Sequence, residues 1–174
     1  MKETISSKLW NDLLKKLEKP DSLKDFLNYY ITLTSWIKEN DHYFKEGILG
    51  NKRLNVLLDL NPEIYVINRP DIVLSMELER KKTIIPKSKD SILMLLCNTL
   101  WELVTIKSGR DCANCDDELR YVVEENGYEK KQQLVLECYS CGWTENYEGI
   151  PCNEKVDKII PANKEDLINL GVYF

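Results

Sequence analysis

The sequence has few histidines, few glycines and no long apolar run. His42 is the only histidine in 174 residues, which leaves little room for imidazole acid–base chemistry or histidine-rich metal sites. It stands beside Asp41 with no serine or cysteine nucleophile signature nearby, so it reads as a surface residue. None of the seven glycines forms a phosphate-cradling loop, which argues against the common nucleotide-binding motifs. The longest apolar run is the six residues from Ile92 to Cys97, whereas a membrane-spanning helix needs about 20. Met1-Lys2-Glu3-Thr4 offers no apolar stretch, so no secretory signal is expected and the chain is placed in the cytoplasm. There is no low-complexity tract and no internal repeat. Arginine is scarce, with 5 against 19 lysines and a surplus of 14 Asn and 15 Ile, a bias of AT-rich bacterial coding sequences.

What is present is ordinary for a folded protein: 43% hydrophobic and 30% charged residues. The length supports one domain plus a small module. Charge divides unevenly between the two parts. Residues 1–110 carry 18 Lys and Arg against 15 Asp and Glu, a net of +3, whereas residues 111–174 carry 6 against 14, a net of −8. The acidic part repels phosphate backbones and attracts basic protein surfaces.

Hydrophobic spacing marks residues 1–110 as a helical domain of four or five helices. Ser6 or Ser7 is positioned to cap a helix bearing Leu9, Trp10, Leu13, Leu14 and Leu17, which Pro20-Asp21 ends. Ser22 and Asp25 open a second, with Leu23, Phe26, Leu27, Tyr30, Leu33 and Ile37 on one face. Asn40 to Gly50 reads as a loop and residues 53–60 as a short helix. Ile64-Tyr65-Val66-Ile67 fits a short strand or a loop, and periodicity does not choose between helix and strand across residues 53–70. Pro70 suits the first turn of a helix running to Lys81. The strongest helix starts at Asp90 or Ser91, turns Ile92, Leu93, Leu96, Leu100, Leu103 and Val104 inward, and stops at Ser108-Gly109. Trp10, Trp36, Trp101 and Cys97 lie within these patterns as core residues. In the tail, residues 151–174, a strand from Val156 to Ile160 precedes a helix capped by Asn163 and stopped at Gly171, which packs back.

The chemistry-bearing signal is a double cysteine pair. Cys112-Ala113-Asn114-Cys115 is followed, 22 residues later, by Cys138-Tyr139-Ser140-Cys141. Two such pairs in a reducing compartment are the spacing of a four-thiolate zinc site. An iron centre, a redox dithiol and disulfides are the alternatives. Asn126-Gly127 is a preferred two-residue hairpin turn. Placed at the apex, it sets Cys115 opposite Cys138, Cys112 opposite Cys141 and Leu119 opposite Leu134. Gly142 and Asp116, each directly after a pair, are suited to the left-handed backbone that such a turn needs. Trp143, Glu145 and Tyr147 alternate as a third strand. Cys152 lacks a nearby partner and stands as a substitute ligand or a free thiol.

On Asp-Cys-Ala-Asn-Cys and Glu-Cys-Tyr-Ser-Cys-Gly-Trp, residues 111–150 resemble a zinc ribbon. The fold class expected is therefore α+β: a helical domain, a small antiparallel ribbon and a short tail. The resemblance implies one structural zinc held by Cys112, Cys115, Cys138 and Cys141, a closed site and no catalysis at the metal. In size, acidity and lack of a reaction centre the chain also resembles the immunity proteins that bacteria make against their own secreted nuclease toxins. That resemblance implies a non-catalytic inhibitor that occludes the basic cleft of a toxin, with no direct nucleic-acid contact and no membrane role. Asp116, Asp117, Glu118, Glu124, Glu125, Glu145 and Glu148 would present charge, and Trp143 and Tyr147 would anchor the contact. The alternative is a zinc-ribbon accessory or regulatory protein of nucleic-acid metabolism. A redox enzyme using the paired cysteines is the third reading.

Overall fold

A computed structural model describes residues 4–44, 52–69, 72–126, 131–152 and 158–172. The chain is α+β and divides into two compact units, Met1–Leu103 with Phe174, and Val104–Tyr173.

The first unit is helical: α1 (Ile5–Leu17), a 3-10 turn (Pro20–Leu23), α2 (Phe26–Glu39), α3 (Lys52–Asp59), α4 (Pro62–Tyr65), α5 (Leu74–Lys82) and α6 (Lys89–Val104). Thr4, not Ser6 or Ser7, caps α1, because its extended backbone lets Oγ1 accept from the Ser7 N–H at 3.1 Å. Asp25 caps α2 by accepting from the Asn28 N–H at 2.7 Å. Ser22 does not open that helix; it lies in the 3-10 turn and donates to the Lys16 carbonyl at 2.9 Å. Residues 41–44, expected as loop, are helical and bury Phe44. The segment read as strand or loop is divided: Ile64 and Tyr65 end the single turn α4, which Asn61 caps, whereas Val66 and Ile67 are loop, Val66 in extended backbone and Ile67 donating to the Leu103 carbonyl at 3.0 Å. The helix expected from Pro70 starts at Leu74; Pro70 and Asp71 lie outside the described residues.

The core of this unit is aromatic and aliphatic. Trp10, Leu13, Leu17, Tyr29, Tyr30, Leu33, Trp36 and Ile37 are buried, as are Ile92, Leu93, Leu96, Cys97, Leu100 and Trp101 of α6. Each fully buried Leu or Ile is worth about 1.5–3 kcal/mol of transfer free energy. Polar hooks fix the pairing of the helices. Trp36 Nε1 donates to Asp12 at 2.8 Å and Trp10 Nε1 to the Lys81 carbonyl at 3.3 Å. Lys81 itself is buried, its amine 3.0 Å from Thr99 Oγ1 and 3.8 Å from Glu77.

The second unit is a five-stranded antiparallel sheet with one helix: β1 (Lys107–Asp111), β2 (Glu118–Asn126), β3 (Lys131–Glu137), β4 (Thr144–Glu145), β5 (Lys158–Pro161) and α7 (Lys164–Asn169). β2 is central. β3 lines one edge, while β1 and β5 share the other, β1 at residues 118–120 and β5 at 122–125. Leu119, Val122, Val135, Leu136, Ile160 and Leu167 form its core. Ser108-Gly109 does not end α6, which stops at Val104; instead Gly109, at φ +74°, sits where the β1–β2 register shifts. Between these pairs β1 carries two more residues than β2, and Gly109 supplies a left-handed position in that irregular stretch, so the glycine signal was real but belonged to a strand. Asn163 caps α7, accepting from the Asp166 N–H at 2.9 Å. Gly171, at φ +75°, closes it through Gly171 N–H to Ile168 O and Val172 N–H to Leu167 O.

The hairpin register differs from the one the Asn-Gly turn predicts. Arg120 pairs with Glu137, Val123 with Leu134 and Asn126 with Lys131. The connection is thus the four residues 127–130, outside the described set, with Asn126 still in the ladder. Leu119 therefore does not face Leu134. The pairing is displaced by four residues, an even number, so each side chain keeps its expected face of the sheet.

Candidate metal centre

The two cysteine pairs sit in the tight turns β1–β2 and β3–β4, beyond the last paired residues of the hairpin. The turns are built alike. In the first, Cys112 N–H donates to Asp117 O at 2.7 Å and Asp116 N–H to Cys112 O at 3.1 Å. In the second, Cys138 N–H donates to Trp143 O at 2.8 Å and Gly142 N–H to Cys138 O at 2.9 Å. Asp116 is at φ 59° and Gly142 at φ +74°, the left-handed positions expected from their places after each pair. Among described non-glycine residues Asp116 alone has a positive φ.

These turns aim all four sulfurs at one point. The Sγ atoms of Cys112, Cys115, Cys138 and Cys141 lie within 4.8 Å of one another. Cys112 and Cys141 approach to 3.6 Å and Cys115 and Cys138 to 3.4 Å. A tetrahedral ion with bonds of about 2.3 Å to sulfur sets its ligands about 3.8 Å apart. The donor set and its spacing fit a metal ion. The sulfurs pair as the Asn-Gly reading predicts, but for another reason: the ladder register is displaced, and the turns themselves bring the sulfurs together. Cys112 and Cys138 are buried; Cys115 and Cys141 are exposed. None of the six cysteines forms a disulfide.

The environment separates the two thiols of the second pair. A hydrogen bond from the Asn114 side chain, then one from the Trp143 backbone, bring the Cys141 thiol down to about 6. Burial pushes Cys138 up to about 12. Cys152 stands outside the cluster, its N–H donating to Thr144 O at 3.0 Å.

The surroundings of the four cysteines are organised by side chains that sequence reading passed over. Ser140 donates to Asp117, tying one turn to the other. The Asn114 N–H donates to Cys112 Sγ at 3.3 Å. Arg110 binds Glu145 at 2.6 Å and the Tyr147 carbonyl at 2.9 Å. Polar residues in the two-residue spacers, Asn114 and Ser140, were the available signal.

The acidic residues expected to present charge fall into two groups. Asp116, Asp117 and Glu148 are exposed. Glu145 is buried at 5% exposure, holding Arg110 and accepting from Trp143 Nε1 at 3.1 Å, so it is a structural carboxylate. Glu118 binds Lys107 at 3.0 Å and accepts from the Gly109 N–H. Glu124 and Glu125 are half-buried, Glu125 lying 3.7 Å from Lys158. Tyr147 is exposed and Trp143 half-buried. The third strand is two residues long, shorter than the alternation of Trp143, Glu145 and Tyr147 predicts, because Asn146 turns the chain: its Oδ1 accepts from Glu148 N–H and Ile150 N–H.

No protein-family model matches this chain, and no curated protein and no solved structure matches it either. Among the described residues no helix is long and apolar enough to cross a membrane.

Proposed function

We propose that Cys112, Cys115, Cys138 and Cys141 hold one structural zinc, and that the ribbon so locked is a non-catalytic docking module for a basic partner protein. The observation that carries this is the convergence of four thiol sulfurs, supplied by two matching turns, within 4.8 Å. Four thiolates complete a tetrahedral shell and leave no open position for substrate. Zinc suits the set because it binds thiolates strongly and imposes no geometry of its own. A reducing, cytoplasmic setting keeps the thiols available.

The binding part rests on charge. The ribbon unit carries 8 Lys and Arg against 14 Asp and Glu. Asp116 and Glu148 are exposed and, among the described residues, form no ion pair of the kind that engages Glu118 and Glu145. Such a surface disfavours nucleic acid and favours a basic protein, of which the cleft of a nuclease toxin is one example. Elemental analysis of the purified chain tests the metal: about one zinc per chain is expected, lost in the Cys138→Ser/Cys141→Ser variant. Binding is tested by titrating a basic nuclease domain, with duplex DNA as the competing probe. Affinity that falls with salt and with Asp116→Lys/Glu148→Lys supports the reading. Equal binding by that variant, or a preference for DNA, refutes it.

A further inference from the structure

We propose that the four-thiol centre is a modification site for hydroperoxides, which close it into two disulfides running between the turns, Cys115–Cys138 and Cys112–Cys141. The inference rests on the zinc reading above and adds to it a second, metal-free state of the same residues.

The geometry of exposure carries it. Both short sulfur contacts cross from one turn to the other, 3.4 Å for Cys115 with Cys138 and 3.6 Å for Cys112 with Cys141. Each contact joins an exposed cysteine to a buried one. An oxidant arriving from solvent meets Cys115 and Cys141 first, and each has a shielded neighbour in contact. An accessible thiolate beside a resolving thiol is the arrangement in which oxidation stops at a disulfide instead of proceeding to sulfinic acid. The turns are also fastened to each other by the Ser140–Asp117 hydrogen bond. That bond and the continuous β2–β3 pairing link the two turns independently of the metal.

The chemistry balances pair by pair. The Cys115 thiolate attacks one peroxide oxygen; the S–O bond forms, the O–O bond breaks, and the departing alkoxide or hydroxide takes the electron pair and then a proton from water. The Cys138 thiolate attacks that sulfur; the S–S bond forms, the S–O bond breaks, and hydroxide departs and is protonated. Two electrons have passed from sulfur to peroxide. A second peroxide does the same at Cys141 and Cys112. The thiolates so consumed no longer hold the ion.

The test uses the full zinc-loaded chain and hydrogen peroxide. Zinc release is followed with a chromophoric chelator, remaining thiols are blocked, and the digest is mapped by mass spectrometry. Release of about one zinc per chain, with peptides linking 115 to 138 and 112 to 141, is expected, and a dithiol reductant should restore zinc binding. Disulfides within a pair (112 to 115 or 138 to 141), linkage to Cys97 or Cys152, sulfinic acid without linkage, or retained zinc would each overturn the proposal. A chain that is isolated without zinc fails the reading of the previous section instead, and the disulfide map still reports which sulfurs join.

Discussion

Gly142 gives the sharpest test of the proposed metal-binding role of the cysteine turns. It sits at φ +74°, and a Cβ built there meets nothing within 4 Å. Any cost of Gly142→Ala is therefore backbone strain and not collision. A left-handed conformation costs an ordinary L-residue about 1–2 kcal/mol. Reduced freedom of the unfolded chain returns about 0.4–1 kcal/mol. The net penalty is about 1 kcal/mol, which is close to a fivefold loss of zinc affinity if the turn forms as the ion binds. The equivalent place in the other turn is filled by Asp116 at φ 59°. Gly142→Asn should therefore cost less than Gly142→Ala, because asparagine shares this tolerance of the left-handed region and adds no charge beside the thiolates. Zinc competition against a chromophoric chelator, at one pH for all three proteins, reads the order directly. An alanine variant that binds as tightly as the parent, or an asparagine variant weaker than the alanine one, would refute the strain account.

Three further outcomes follow from other sites. Gly149 sits at φ +86°, so Gly149→Ala strains the backbone, and its Cβ would lie 2.8 Å from Arg110 Nη2, the end of a flexible side chain that must shift; the left-handed strain should lower stability by about 1–2 kcal/mol in chemical denaturation. Burial lowers the Lys81 amine below its usual range. The unfolded chain then binds more protons in alkaline solution, so the helical unit should gain stability as pH rises toward 10.5; Lys81→Met should abolish that slope at little cost in stability, and Glu77→Gln should destabilise. For the metal, Cys141 at about 6 is already thiolate at neutral pH while Cys138 at about 12 is not; calorimetry in buffers of different ionisation enthalpy should count fewer than four protons released per zinc at pH 7. The Cys141 share of metal-free stability is present above about 9 and lost as pH falls through about 6.

Helix positions were legible wherever apolar spacing was long. The α6 stripe from Ile92 to Val104 is buried as its periodicity predicts, because a three-to-four spacing sustained over most of a sixteen-residue helix admits one inward face. Short elements were not. Four residues at α4 cannot establish a period, and the proline at its first turn reads equally as a breaker. β1 was missed because Lys-Ser-Gly-Arg-Asp has no strand composition; it is held by pairing with β2 and bends at Gly109. The clustering of the four cysteines was legible because its signal is spacing, which needs no register. The hairpin register was not: Asn-Gly is a preference for one turn type, and the seven-residue pairing of β2 with β3 settled on a longer connection. What survived was parity. A displacement by an even number preserves which residues share a face, so Leu119, which is buried, keeps the side of the sheet that the hairpin reading gave it.

The placement of the thiols bears on what the ion would do. Each turn hangs from one strong strand and one weak one. β2 and β3 pair continuously from Arg120–Glu137 to Asn126–Lys131. Beside them β1 is interrupted by its bulge and β4 is two residues long. Backbone pairing alone gives such strands little hold, since an isolated short hairpin is marginal in water. The thiols lie where β1 meets β2 and where β3 meets β4, so an ion bound there cross-links the weak strands to the strong pair at the point where the ladder ends. Arg110, reaching from β1 to Glu145 of β4 and to the Tyr147 carbonyl, ties the same two strands from a second point. A centre built to process a substrate would leave a coordination position facing a cavity. Under the proposal of a structural ion, the four sulfurs would serve to join backbone segments, and removing the ion should be felt first as loss of β1 and β4 protection in hydrogen exchange while β2 and β3 stay protected. Equal loss across all four strands would mean that the ion supports the whole sheet; no loss would mean that it supports none of it.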